Sequence, residues 1–156
     1  MTTKIILLFT LIVYSIITSQ SFMYLLSLKS AQLDLSANAY IEFRKLVDAA
    51  MRNNFKYVIY AALLSNLLLL IAAIKHPSGL LFITVAIAFI ALVIDTTLTI
   101  KGNMPINDMI NSWSVNNYPS NWAEQRTKWL DIFQYRQIAN ITGFISLLVG
   151  TVFGLR

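Results

Sequence analysis

The chain has no cysteine, one histidine, three prolines and five glycines among its 156 residues. Without cysteine there is no disulfide, thiolate nucleophile, thiolate metal site or lipid-bearing N-terminal cysteine. The same absence excludes four-helix redox enzymes that work through a cysteine pair. A single imidazole, His76, cannot build a histidine-rich haem or metal site within one chain. No glycine-rich phosphate loop, HExxH helix or nucleophile-elbow serine occurs. The carboxylates are too dispersed for a two-metal cluster, so neither a metal nor a cofactor is expected. Charge is scarce as well: 12% of residues are charged, against roughly 25% in soluble domains.

Apolar residues are abundant, at 57%, and they collect in four runs at 4–28, 56–74, 80–100 and 138–155. Each run approaches or exceeds the ~20 residues a helix needs to cross a hydrocarbon core about 30 Å thick. The runs are continuous rather than alternating. They therefore predict helices, which satisfy their own backbone hydrogen bonds, and not a barrel. The first run resembles a signal peptide, but residues 18–23 offer no small-x-small cleavage site and apolar residues continue to Leu28, so it is read as a retained span. The expectation is one all-α domain, an integral membrane four-helix bundle. The net charge of +5 is read as contact with anionic lipid headgroups, not with nucleic acid.

The breakers divide the rest. No proline or glycine precedes Pro77, so a helix can run unbroken from an N-cap at Ser36. Tyr40, Phe43, Val47, Ala50 and Met51 recur at helical spacing, with Glu42, Arg44, Lys45, Asp48 and Arg52 mostly on other faces. This predicts an amphipathic helix over 36–55 leading straight into the second span. Pro77-Ser78-Gly79 predicts a tight turn between spans two and three. Gly102 is expected to end span three, with a helical loop over 103–136 that begins again at Pro105. Asn121 and Glu124 form a capping-box pattern. The helix they start carries Trp122, Trp129 and Phe133 and runs toward span four.

Connectivity puts the N-terminus, the Pro77 turn and the C-terminus on one side of the membrane and both long loops on the other. Nine of the twelve Lys and Arg residues fall on the long-loop side, which by count makes that side cytoplasmic.

Asp95 is the only acid within a span, and such groups usually face the bundle interior. It lies five residues before the end of its run, hence about 8 Å below the long-loop surface at 1.5 Å per residue. Gln20 and Tyr24 reach a similar depth on span one, Tyr57 and Tyr60 on span two, and Arg136 and Asn140 on span four. The opposite end is almost purely apolar. The pattern predicts a polar-mouthed pocket between the helices, roofed by Asn103, Asn107, Trp113, Trp122 and Trp129. Three readings of Asp95 stay open: an ion pair with Arg136 that locks spans three and four, contact with a ligand, and proton transport. The tryptophans fit interfacial anchoring or ligand stacking. Gly150 and Gly154 form a small-xxx-small pattern for close helix packing, which would also allow a homo-oligomer. His76 reads as a solvated interface residue, and the sequon at Asn140 sits in a span and is expected to be unused.

The stretch from Thr97 to Asn107, with Asn103, Pro105 and Asn107 in an N-x-P-x-N pattern, together with Trp129 and Arg136 at the head of the last span, resembles the small four-span proteins grouped with fungal anthrone oxygenases. The architecture covers nearly the whole chain and the motif about 40 residues. Family members commonly have glycines in span one and a proline soon after it; this chain has Ser19 and Ser21 there and no proline before Pro77. The resemblance implies a bacterial cytoplasmic-membrane protein and a cofactor-independent oxygenase acting on a polycyclic phenolic ketone. On that reading Asp95 is the base and Arg136 its catalytic partner, with Asn103, Asn107, Trp113, Trp129, Asn140, Gln20 and Tyr24 around the substrate. The expected partners are membrane lipids and a hydrophobic small molecule. The alternatives are a non-catalytic membrane scaffold and, after it, a small transporter.

Overall fold

The computed structural model describes residues 2–76 and 79–154. Four long helices carry almost all of them: α1 (Thr2–Asp34), α2 (Ala37–Ala73), α3 (Leu80–Ser112) and α4 (Trp122–Phe153). Each is long and apolar enough to cross a membrane. At 1.5 Å per residue they run about 48–56 Å, well beyond a hydrocarbon core of ~30 Å. The surplus projects on one side, where the expected long loops are largely helix. Leu35 and Ser36 alone separate α1 from α2, and Ser36 caps α2 by accepting from the Ala39 amide at 3.4 Å.

The helices form a ring in chain order, α1 against α2, α2 against α3, α3 against α4 and α4 against α1. The α3–α4 seam is the most extensive, and small residues make it so. A Cβ at Gly143 would land on the Tyr14 hydroxyl, with the Ala91 Cβ only 3.0 Å away; one at Gly150 would land on the Thr84 hydroxyl. Close approach of this kind suits helices that associate without a water-driven hydrophobic force. Gly150 and Gly154 thus face α3 within the same chain. The outward faces are apolar on all four helices, as at Ile5, Leu8 and Ile12 of α1, Leu64 and Ile71 of α2, Ile83 and Ile90 of α3, and Ile145 and Val152 of α4. Hydrocarbon-facing surface of this extent marks a multi-pass membrane protein.

Two cores are stacked along the bundle. The membrane core is mostly aliphatic: Leu7, Val13, Ile17, Leu69, Val85, Leu92 and Leu147 surround Tyr14. The cap core beyond the membrane is aromatic: Tyr24, Tyr40, Trp113, Trp129 and Phe133 pack with Ile41, Ile106 and Ile110. Between them, α1, α2 and α3 each contain one π-helical turn, Tyr24–Leu28, Met51–Phe55 and Thr99–Asn103. In an α-helix of 3.6 residues per turn, side chains spaced four apart drift around the axis by about 40° per step. A π turn, with its i→i+5 bond, is wider and takes up that drift. A stripe of every fourth residue can therefore keep facing inward through the boundary between the two cores.

Several expectations are corrected. Gly102 does not end the third helix; α3 continues unbroken to Ser112. The reason is the π turn just before Pro105, where the Met104 amide reaches back to the Thr99 carbonyl. Proline lacks an amide and crowds the carbonyl four residues earlier, and a widened turn relieves both problems. The Asn121 side chain makes no cap bond; the start of α4 is held by the Glu124 and Gln125 amides donating to the Asn121 carbonyl. On α2 the buried face over 37–50 is Tyr40, Ile41, Arg44 and Asp48, not the stripe of Tyr40, Phe43, Val47, Ala50 and Met51. The turn expected at Pro77-Ser78 falls outside the described residues; beside it, the Gly79 amide donates to the His76 carbonyl at 2.9 Å.

Candidate functional site

At the level of the π turns the bundle encloses a cavity of about 550 Å³. All four helices line it. From α2 come two four-spaced stripes, Arg44, Asp48, Arg52, Lys56 and Tyr60, and Val47, Met51, Phe55 and Ile59. α3 supplies Asp95, Thr99, Asn103 and Asn107, and beside them Thr96, Ile100 and Met104. α1 adds Gln20 and Tyr24, and α4 adds Trp129, Phe133 and Arg136. The π turn within α2 and that within α3 are what hold these runs of four in line.

The membrane-side end of the cavity is an ion-pair network. Arg136 donates through Nε to Asp95 Oδ1 at 2.7 Å and through NH1 to Asn103 Oδ1 at 3.1 Å. Asn103 Nδ2 in turn donates to the Trp129 carbonyl at 2.9 Å. The Asp95 and Arg136 side chains are only 1% and 9% exposed. The second carboxylate oxygen, Asp95 Oδ2, is buried without a hydrogen-bond partner. A buried carboxylate with an empty acceptor is costly unless something donates to it.

The cap-side end is a second network. Asn107 Nδ2 and Asn111 Nδ2 donate to the two oxygens of Asp48, each at 2.8 Å. Arg52 bridges Asp48 at 2.7 Å and Asp108 at 2.6 Å. Arg44 donates to Asn107 Oδ1 at 2.8 Å and to the Tyr24 hydroxyl at 3.4 Å, and its guanidinium lies 3.9 Å from the centre of the Trp129 ring. Trp129 stacks on Phe133, and Tyr24 packs against Phe133 at a tilt of 47°, forming an aromatic wall. Nearby, burial pushes the Tyr40 hydroxyl up to about 12, against the pull of Arg44 and Arg126.

Of the residues singled out from sequence, Asp95, Arg136, Asn103, Asn107, Trp129, Gln20 and Tyr24 meet at this cavity. Trp113 does not line it; the ring is part of the cap core, and its carbonyl accepts from Lys45 Nζ. Asn140 also lies off the lining; its backbone carbonyl accepts from the Thr18 hydroxyl of α1 at 3.4 Å, and its side-chain Oδ1 is buried without a partner. Tyr57 is 64% exposed on the outer face. Sequence reasoning missed Arg44, Asp48, Arg52, Phe55 and Phe133. The signal was present: Arg44, Asp48 and Arg52 recur at intervals of four, but polar residues on an amphipathic helix are ordinarily assigned to water. The apolar end is also less uniform than expected, because Asn66 is fully buried with neither amide atom bonded.

No family model matches the chain, and neither a curated protein nor a solved structure does. None of the three comparisons identifies a family for the five motif residues singled out from sequence. Four of the five, Asn103, Asn107, Trp129 and Arg136, line the cavity; the fifth, Pro105, follows the π turn of α3.

Proposed function

We propose that this membrane protein binds a hydrophobic small molecule bearing a polar group, in the cavity between the two networks. The observation that carries the reading is the convergence of polar side chains from all four helices on one largely apolar space of about 550 Å³. That volume is within the range of small-molecule sites, roughly 300–1,000 Å³. Apolar and aromatic walls would hold the body of the ligand while a few fixed polar groups orient it. Native mass spectrometry of protein extracted gently from its own membrane tests this. A reproducible bound mass is expected, and it should vanish in Ile59→Trp, which fills the space. A bound mass that survives Ile59→Trp, or none in the parent protein, would contradict the proposal.

The finer proposal is the cofactor-independent oxygenase that the motif resemblance suggests, in a bacterial cytoplasmic membrane. Asp95 Oδ2 is free to accept a proton from an activated carbon of a phenolic ketone, while the electron pair spreads onto the ketone oxygen. The Arg136 guanidinium would stabilise that oxyanion before the carbanion adds dioxygen; the peroxide so formed would take back the proton, and cleavage of its O–O bond with loss of the second C–H proton would release water and leave a ketone. Anthrone turnover unaffected in Asp95→Asn would remove Asp95 from this role.

A non-catalytic scaffold is the second reading, and the Asp95–Arg136–Asn103 network favours it by tying α3 to α4. In that case Asp95→Asn costs stability and nothing else.

A further inference from the structure

The basic side chains on the cavity wall are not all in direct contact with a carboxylate. Four basic side chains, Arg44, Arg52, Lys56 and Arg136, face two acidic ones, Asp48 and Asp95. Arg136 is taken by Asp95, and Arg52 by Asp48 and Asp108. Among the described residues, Arg44 and Lys56 have no carboxylate within ion-pair distance. For Lys56, exposed at the rim, water and lipid headgroups suffice. Arg44 is different. It is 3% exposed, its hydrogen-bond and ring partners, Asn107, Tyr24 and Trp129, are neutral, and its Nε is buried without a partner. The nearest acid on the same network, Asp48, is reached only through Asn107, and a buried cation with no anion in direct contact is costly. Replacing it with an apolar residue would be simpler unless an anion arrives.

The cavity also opens sideways. Its lining reaches the outer surface through Lys56 and Tyr60 of α2 and Ile100 of α3; Tyr60 is 63% and Ile100 57% exposed. This gap lies where the apolar runs begin and end. Arg44 sits 12–16 residues nearer the cap along the same helix, hence about 18–24 Å farther from the membrane interior. The stripe Val47, Met51, Phe55 and Ile59 connects the two places with apolar side chains.

We infer that the ligand is an anionic amphiphile drawn from the adjoining leaflet, its acid group on Arg44 and its chain leaving between α2 and α3. This deepens the pocket reading and rests on it. The acid group is a carboxylate or a phosphate, as in a fatty acid or a lysophospholipid. The ligand then keeps the direction of a leaflet lipid, head toward the cap and tail toward the membrane, with its head lifted about 18–24 Å along α2 from the gap. The guanidinium, with its neighbouring amide and phenol, supplies charge-assisted hydrogen bonds, which are roughly twice as strong as neutral ones.

Three amphiphiles of one chain length decide the matter: myristate, 1-myristoyl lysophosphatidic acid and myristyl alcohol, titrated into the detergent-solubilised full-length protein with affinity read by native mass spectrometry. At least one acid should bind about tenfold or more tighter than the alcohol. The tighter of the two acids names the headgroup. Arg44→Met, which keeps the packing on Trp129 without the charge, should erase the preference and raise the thermal stability of the ligand-free protein. Should that variant fail to fold, Arg44→Gln takes its place, with the same loss of preference expected. Acid and alcohol binding equally to the parent protein, both lost in Ile59→Trp, would overturn the anionic assignment and leave the pocket intact. An acid preference that persists without the Arg44 charge would overturn the assignment to Arg44. No binding of any amphiphile, with no native bound mass, would remove the pocket reading itself.

Discussion

Along α2, Ala62, Ser65, Leu69 and Ala73 are buried among aliphatic neighbours, whereas Tyr40, Arg44 and Asp48 are buried among rings and ions. One continuous helix thus takes part in two kinds of packing. In the membrane half the partners are close because residues are small, as at Gly143 against Ala91 and Gly150 against Thr84. In the cap half they are held by aromatic stacking and by the hydrogen bonds around Asp48. The two solutions follow from the two solvents. Lipid gives helices no hydrophobic reward for associating, so shape and buried polar bonds must do it. Water rewards aromatic burial in the cap. The cavity lies where one solution gives way to the other, and the π turns let the side chains cross that border in register.

Breaking the one ion pair near the membrane should have the largest effect. Arg136→Ala leaves the Asp95 carboxylate buried and unpaired, and about 3–5 kcal/mol of stability should be lost. Thermal unfolding in mild detergent reads this, and replacing both partners with Leu and Met should recover most of the loss. Next comes Gly143→Val, whose side chain has nowhere to go between Tyr14 and Ala91. Overpacking there should cost about 2–3 kcal/mol in the same assay.

The cap should respond more weakly. Arg52 is 38% exposed and Asp108 62%, so solvent screens that bridge; the Asp48 carboxylate is only 6% exposed but keeps the Asn107 and Asn111 donors, and Arg52→Ala should cost about 1–2 kcal/mol. Salt sharpens the contrast: raising it from 0.05 to 0.5 M, an illustrative range, should shrink the Arg52 effect by about half and leave the Arg136 effect unchanged, since screening weakens exposed pairs far more than buried ones. Ser36→Ala is the smallest change. Its cap bond is long at 3.4 Å, and a loss of about 0.5 kcal/mol is expected, at the low end for N-caps.

Much of this architecture is written in the sequence. The four apolar runs give the four spans, and the absence of proline and glycine between Ser36 and Lys75 gives the unbroken α2. Asp95 and Arg136 stand out because charge in a span is rare, and they do meet. The cap was harder to read. There, the spacing of Arg44, Asp48 and Arg52 is the same as that of a solvated helical face, and only the arrival of α3 with Asn107 and Asn111 turns it inward. Asn103-Met104-Pro105 reads as a break because proline normally ends a helix, and a single widened turn is invisible to a rule built on 3.6 residues per turn. Trp113 and Asn140 were drawn toward the cavity by residue type and depth; the direction in which each points depends on neighbours that sequence distance does not reveal.

The chain has no cysteine, so single cysteines can be introduced on a clean background and their reaction with a water-soluble maleimide followed in membranes. Phe55→Cys and Thr99→Cys, partly exposed on the cavity wall, should be labelled, while Val93→Cys and Thr97→Cys, on the outer face of the same helix as Thr99, should be spared. Equal labelling of Thr97→Cys and Thr99→Cys, or labelling of Thr97→Cys alone, would mean that the inward-facing stripes and the water-accessible space they enclose do not exist.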